Sequence, residues 1–452
     1  MAKPVILFNT GTGSDTAASG AGPATALSGT GADLDATTTV DLSVDSPDLS
    51  GVATDGSAAL WVGTSSGRQF AEIVSVDDIL KTVTVADAYG VTESGRNWGI
   101  GGKRNSWDNA DSQTVFADYS GGWEVQTETA QPLTTAIDLS VALAGNESLR
   151  ITGATEHQVI TQSGAGLAIF TLGAVAAFYW ENLHFKHSNA TNEYAVVSDV
   201  SAEENTFRNC ICGDASGGDN PKGFIRRGSG GVSGVFIDCE ARWCTEDGMG
   251  NTSMRGRLIA HGSYAHDCGR HGFGTRGDQE TLLTFCVSEN NGGSGVSGQL
   301  RDTGSHAIIN CTMHGNAADG VSMTADDGIL YVFNCNLTAN GGYGIDLSSD
   351  ETEFANHFVD FNNFGTGSTA NTSGAVNNIS SGPNDLTVDP SYTDAANENF
   401  EVGTSVKAKG FPDSARNIGA DQSSTVSYVD IGAAQREEPS GGGGETSHVF
   451  AS

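Results

Sequence analysis

Asp247, His271 and Ser294 stand 24 and 23 residues apart, and in that order they are an acid, a base and a nucleophile. A chain that returned to the same place every 23 or 24 residues would stack them, with Asp319 and Tyr343 continuing the column. Such a stack could act as a catalytic triad. No oxyanion donors can be identified beside it, so a solvated polar ladder is the simpler expectation. A second set recurs in the same rhythm: Asp278, Arg301, Asp326 and Asp350, with Asp302, Asp327, Glu351 and Glu353 adjacent. Stacked carboxylates around an arginine suit an ion-pair ladder, a calcium site, or the acid pair and sugar clamp of a glycan-processing groove. The leading expectation is the ion-pair ladder. Glycan contact through Asp278, Arg301, Asp302, Asp326, Asp327 and Asp350 is the second, and no catalytic residue is assigned.

Other chemistry-bearing residues read as structural. The Gly-x-Gly pairs at Gly248/Gly250 and Gly272/Gly274 are followed by no Lys-Ser/Thr and open no predicted helix, so they are corners and not phosphate loops. His261, His266 and His271 are five residues apart. On a strand an odd spacing alternates faces, so they do not converge as zinc ligands. His261 is expected to be buried against a backbone carbonyl. Eight cysteines in 452 residues are not a small-domain disulfide framework, and free buried thiols are expected. The residues call for no metal and no cofactor.

The elements that would position these columns follow from the period. Cys239, Ser263, Cys286, Cys311 and Cys335 each precede a glycine by nine residues: Gly248, Gly272, Gly295, Gly320 and Gly344. Those glycines are 24, 23, 25 and 24 residues apart, and an apolar residue follows each. Four residues before the glycines stand Cys244, Cys268, Asn291, Asn316 and Asn340. Apolar positions alternate ahead of the Cys column, at Val235, Ile259, Leu282, Ala307 and Tyr331 and again at Ile237, His261, Thr284, Ile309 and Phe333. Alternation is the signature of a strand with one buried face. A two-strand unit with Gly and Asn at its corners stacks into a parallel coil about 4.8 Å per turn. Glycine is expected there because it lacks Cβ, and asparagine because it tolerates left-handed backbone and its amide can bond to the rungs above and below. The coils are expected from about Leu149 to Phe364.

This pattern resembles the right-handed parallel β-helix superfamily, which includes pectate-lyase-like enzymes and bacteriophage tailspikes. Asp385-Leu386-Thr387-Val388-Asp389-Pro390, Asn397-Glu398-Asn399-Phe400 and Val429-Asp430-Ile431-Gly432-Ala433 are similar to the closing segment of many bacterial and phage β-helix proteins. Asn97-Trp98-Gly99-Ile100-Gly101-Gly102-Lys103-Arg104 resembles a segment found ahead of the β-helix in phage virion proteins. The expected fold is all-β: a right-handed parallel β-helix of about 24-residue coils at 126–365, after a small β-rich region at 1–125 that would serve assembly or virion docking. A C-terminal β cap at 366–438 would cover the last strand edges, and a Gly-rich tether with a terminal strand would occupy 439–452.

Composition limits the function. There are 22 Lys+Arg against 55 Asp+Glu, a formal charge of −33, which argues against a nucleic-acid partner and against anionic lipid. The Met1–Asn9 stretch carries only a four-residue apolar run, too short for a signal peptide, and no stretch is long and apolar enough for membrane insertion. Synthesis in a host cytoplasm is therefore expected. With the resemblance, this implies a virion spike or fibre protein: a homotrimer docked to other tail or capsid proteins, presenting its β-helix to host-surface polysaccharide. A polysaccharide-degrading lyase or glycosidase on the same β-helix is the alternative, and a bacterial surface adhesin the third reading.

Overall fold

The computed structural model describes residues 27–50, 58–65, 67–104, 123–127, 129–139, 148–154, 157–172, 177–189, 192–198, 204–216, 218–227, 233–250, 257–275, 280–299, 304–324, 328–348, 357–395 and 399–400, together with Val5–Phe8 and residues 52, 54 and 402. Two compact units emerge, Met1–Ile211 and Cys212–Ser452.

The first unit opens with an antiparallel sheet. Its central strand, Thr92–Arg104, pairs antiparallel with Leu27–Asp35 and with Ala58–Thr64, and parallel with Val5–Phe8. The segment 97–104 singled out by its sequence is the second half of this strand. Trp98 is fully buried in a cluster with Leu60, Val62, Val83 and Ile100. Its indole donates to Asp45 Oδ2 at 2.7 Å, and the same oxygen accepts from the Gly31 backbone at 2.7 Å. One carboxylate thus pins the large buried ring to a neighbouring turn. Parallel coils start at Trp123–Thr127, which pairs with Ser148–Gly153, then Ala177–Glu181, then Glu204–Arg208. That start is earlier than Leu149, and the sequence hides it because the first coil bears none of the Cys, Asn or Gly marks. Aromatics fill the interior of the coils at Ala177–Glu181 and Glu204–Arg208: Trp180 lies nearly parallel to Phe178 and Phe207, with centroids 5.9 Å away in each case.

In the second unit each coil contributes three strands, not two. Sheet 1 contains Ser233–Ile237, Leu258–His261, Thr281–Thr284, Ser305–Ile309, Ile329–Phe333 and Phe358–Asp360. Sheet 2 contains Glu240–Arg242, Tyr264–His266, Val287–Glu289, Thr312–His314 and Asn336–Thr338. Sheet 3 contains Met249–Gly250, Phe273–Gly274, Val296–Gln299, Val321–Thr324, Tyr343–Leu347 and Gly374–Asn377. The third strand begins at the apolar residue after Gly248, Gly272, Gly295 and Gly320, and at Tyr343 just before Gly344; in the early coils it is too short to show an alternation of its own.

The register places the marks. The Cys239 column points inward and is buried, and each thiol donates to the carbonyl two residues earlier, at 3.1–3.3 Å. All eight cysteines are free and buried. Asn291, Asn316 and Asn340 form a buried amide ladder, Nδ2 to the next Oδ1 at 2.9 and 3.0 Å. These asparagines are not the left-handed residues. Positive φ falls at Asp238, Asn310 and Asn334, and at Asp267, Asn290 and Gly315. The marked glycines are required by close approach instead: a Cβ on Gly295 would lie 2.7 Å from the Gly320 carbonyl, and one on Gly320 2.6 Å from that of Gly344.

One expectation is reversed. The alternating apolar columns that begin at Val235 and Ile237 face outward. Leu258, Ala260, Leu283, Ile308, Leu330 and Val332, between them, fill the interior. Sheet 1 is apolar on both faces, and alternation cannot then tell which face is inside.

The chain closes in two ways. Leu386 pairs with the last coil, its N–H donating to the Asn362 carbonyl at 2.6 Å and its carbonyl accepting from Phe364 at 2.9 Å. Asp385 accepts from the Asn362 and Gly382 backbones at 2.8 and 2.7 Å. Tyr392 and Phe400 then lie over the outer face of sheet 2, against Tyr264, Val287 and His314. The segment 429–433 and the 439–452 tether lie outside the described residues.

Candidate functional site

Asp278, Arg301, Asp302, Asp326, Asp327 and Asp350 all lie outside the described residues, as do Glu351 and Glu353. The other column can be followed rung by rung. Asp247 is fully buried, and its Oδ1 accepts from the backbone of His271 at 3.4 Å, not from the ring. His271 Nδ1 accepts from the Ser294 backbone at 2.9 Å, and Asp319 Oδ1 from that of Tyr343 at 2.7 Å. Each side chain thus caps the N–H of the next coil. With Nδ1 occupied as an acceptor, His271 cannot present that nitrogen to Asp247 as a triad requires. Burial pulls the His271 pKa down, against the pull of Asp247, so the ring favours its neutral form. This is a structural ladder. His261 also departs from expectation: it is half-buried, and Nδ1 bonds to the Thr284 hydroxyl at 2.8 Å in place of a carbonyl.

The geometry draws together a different set, on the outer face of sheet 2. Alanines 241 and 265 point inward there, so the residues on either side point out. Register stacks Glu240 under Tyr264 and Val287, and Arg242 under His266 and Glu289. Diagonal contacts join the columns. His266 Nε2 lies 3.2 Å from Glu240 Oε1, and its Nδ1 lies 2.9 Å from Asp267 Oδ2. Arg242 reaches Glu240 at 3.1 Å, and Tyr264 Oη donates to Glu289 Oε2 at 2.5 Å. The Tyr264 and His266 rings stack with centroids 4.3 Å apart.

Both ring nitrogens of His266 face carboxylates, so only the imidazolium donates to both. Burial raises the Glu240 pKa, but the His266 hydrogen bond and Arg242 outweigh it and hold the group below the ordinary glutamate value. The result is a carboxylate–imidazole–carboxylate row with a phenol–carboxylate pair beside it. Tyr264 and His266 are buried, with Phe400 packed against Tyr264, so the part of the row open to a ligand is the half-buried Glu240 and Arg242. Among the described residues no three His, Cys, Asp or Glu side chains converge as metal ligands. The sequence reading missed this set because it weighed His266 only beside His261 and His271. Applying the period to the first and third residues after the Cys column finds it: Glu240, Tyr264 and Val287, then Arg242, His266 and Glu289.

Residues 181–364 match a family described as "Right handed beta helix region". This stretch is a right-handed parallel β-helix. Three solved structures are similar to parts of the chain. The pectate lyase Pel9A is 14% identical, with a TM-score of 0.46, covering 72% of this chain and 90% of that one. The A-module of the Azotobacter vinelandii mannuronan C-5 epimerase AlgE6 is 15% identical, with a TM-score of 0.38, covering 63% and 96%. The Dettilon tailspike protein is 12% identical, with a TM-score of 0.32, covering 59% and 64%. No curated protein matches the chain.

Proposed function

We propose that this chain is a virion structural protein, a tail spike or fibre, that assembles as a homotrimer and presents its β-helix to host-surface glycan. The observation that carries the reading is an antiparallel domain ahead of the coils, in which segment 97–104 lies in the central strand. That segment resembles one found ahead of the β-helix in phage virion proteins. Closure of the last coil by Asp385 and Leu386 fits the same reading, since the closing segment resembles that of phage β-helix proteins. Mass spectrometry of purified virions tests it: the chain should be present at a stoichiometry divisible by three, and its absence would defeat the proposal.

A second reading is a polysaccharide-degrading lyase or glycosidase on the same β-helix. It is favoured by the cluster around His266, where a phenol, an imidazole and carboxylates meet on one lateral face. An assay on capsular and lipopolysaccharide glycans decides it. Cleavage lost in both Tyr264→Phe and Glu289→Gln at unchanged melting temperature would place the chemistry there. Loss confined to Asp326→Asn would place it on the Asp278–Asp350 column.

A further inference from the structure

We infer that the outer face of sheet 1 in the second unit is the docking surface for a second copy of this chain. The inference rests on the self-association part of the proposed function and is independent of a virion. The three sheets of these coils treat solvent differently. Sheet 3 shows Ser297, Gln299, Ser322, Thr324 and Asp346 outward, an ordinary solvated face. The outer face of sheet 2 is covered by Tyr392 and Phe400. Sheet 1 instead presents the column Val235, Ile259, Leu282, Ala307, Tyr331 and Phe358, and nothing among the described residues covers it. Leu282 is 38% exposed and Phe358 51%. The neighbouring outward column runs Ile237, His261, Thr284, Ile309, Phe333 and Asp360, with one carboxylate at its end.

Charge selects the occupant. The chain carries −33, so two copies repel wherever carboxylate meets carboxylate. A basic partner would be drawn to the acidic surface elsewhere and gains little here. Beside these two columns the next outward one holds Arg257 and Glu280, paired at 3.3 Å, so among the described residues Asp360 is the one uncompensated acid on the face and like copies can meet there with little repulsion. Contiguous apolar surface of this kind marks association sites. Tyr331 and Phe358 supply a preformed aromatic anchor, their rings stacked 4° from parallel with centroids 5.2 Å apart.

The test is sedimentation of the full chain at micromolar concentration. Wild type and Ser322→Glu, on sheet 3, should both sediment as a multimer. Leu282→Glu/Tyr331→Glu should sediment as a monomer with an unchanged β-sheet circular dichroism spectrum. Should that pair fail to fold, the milder Leu282→Ser/Phe358→Ser should still raise the dissociation constant at least tenfold. A monomeric wild type overturns the inference. So does a multimer that survives in the folded variants, or a monomer whose Tyr331 and Phe358 bind glycan instead. Absence of the chain from virions would defeat the virion reading and leave this one standing.

Discussion

His306 is the interior residue least suited to its place. It is fully buried on the inner face of sheet 1, and neither ring nitrogen finds a hydrogen-bond partner. Thr281, its register neighbour, also has an unpartnered hydroxyl. Burial pulls the His306 pKa down to about 4, and the nearby Gln299 backbone offsets only part of the effect. In the unfolded chain the ring titrates near its ordinary value of 6.5. Between these values the unfolded state holds more protons, so acid favours unfolding. This group's contribution is complete above pH 6.5 and drains away as pH falls toward 4, amounting to about 3 kcal/mol at most. His306→Leu continues the aliphatic run of Leu258 and Leu330 and removes both orphaned nitrogens. Its melting temperature should exceed that of wild type at pH 5, and the gap between pH 7 and pH 5 should narrow. An unchanged gap would shift the acid sensitivity to His271, His314 or His357, which burial also holds low.

At the scale of elements, the corners divide the labour between two devices. Asn316 sits mid-ladder: its amide donates to Asn340 Oδ1 and to the Ser288 carbonyl, and its Oδ1 accepts from the Asn291 amide and backbone. Asn316→Leu therefore strands buried groups on both sides, and should cost about 2–5 kcal/mol by chemical denaturation. Gly320→Ala drives a methyl into the Gly344 carbonyl, and should cost more than Gly315→Ala, which meets open space and suffers only left-handed strain near φ 64°. Comparing the two alanine variants by thermal melting checks that ordering. The Cys, Asn and Gly columns were legible in sequence because they sit at sharp corners with few permitted residues. The third strand was hidden, since Met249–Gly250 and Phe273–Gly274 are too short to alternate. The inward face of sheet 1 was hidden for the opposite reason, with Tyr331 and Val332 both apolar on opposite faces. The His266 cluster escaped because the columns one and three residues after the Cys column mix charged, aromatic and apolar residues, so neither repeats a residue type that the period would mark.

For the chain as a whole, solubility and closure pull on the same surfaces. A charge of −33 keeps copies apart in general, and every uncovered apolar face or unpaired strand edge works against that. The C-terminal segment answers both hazards with separate residues: Asp385 and Leu386 occupy the last edge, while Tyr392 and Phe400 shield Tyr264, Val287 and His314. The two roles can be taken apart. Tyr392→Ala/Phe400→Ala removes the lateral cover and keeps the edge paired. Losing the buried Phe400 ring alone should cost about 3–5 kcal/mol, a fall in melting temperature on the order of 10 °C for a unit of this size. Because the edge stays occupied, the variant should remain dispersed by light scattering. Asp385→Ala/Leu386→Pro keeps both aromatic rings and removes the Asp385 carboxylate and the Leu386 N–H from the edge. It should melt closer to wild type yet aggregate on storage, through the freed Asn362–Phe364 strand edge. If both variants aggregate alike, the cover over sheet 2 is guarding an adhesive face as well as filling space, and closure of this chain is one cooperative event and not two.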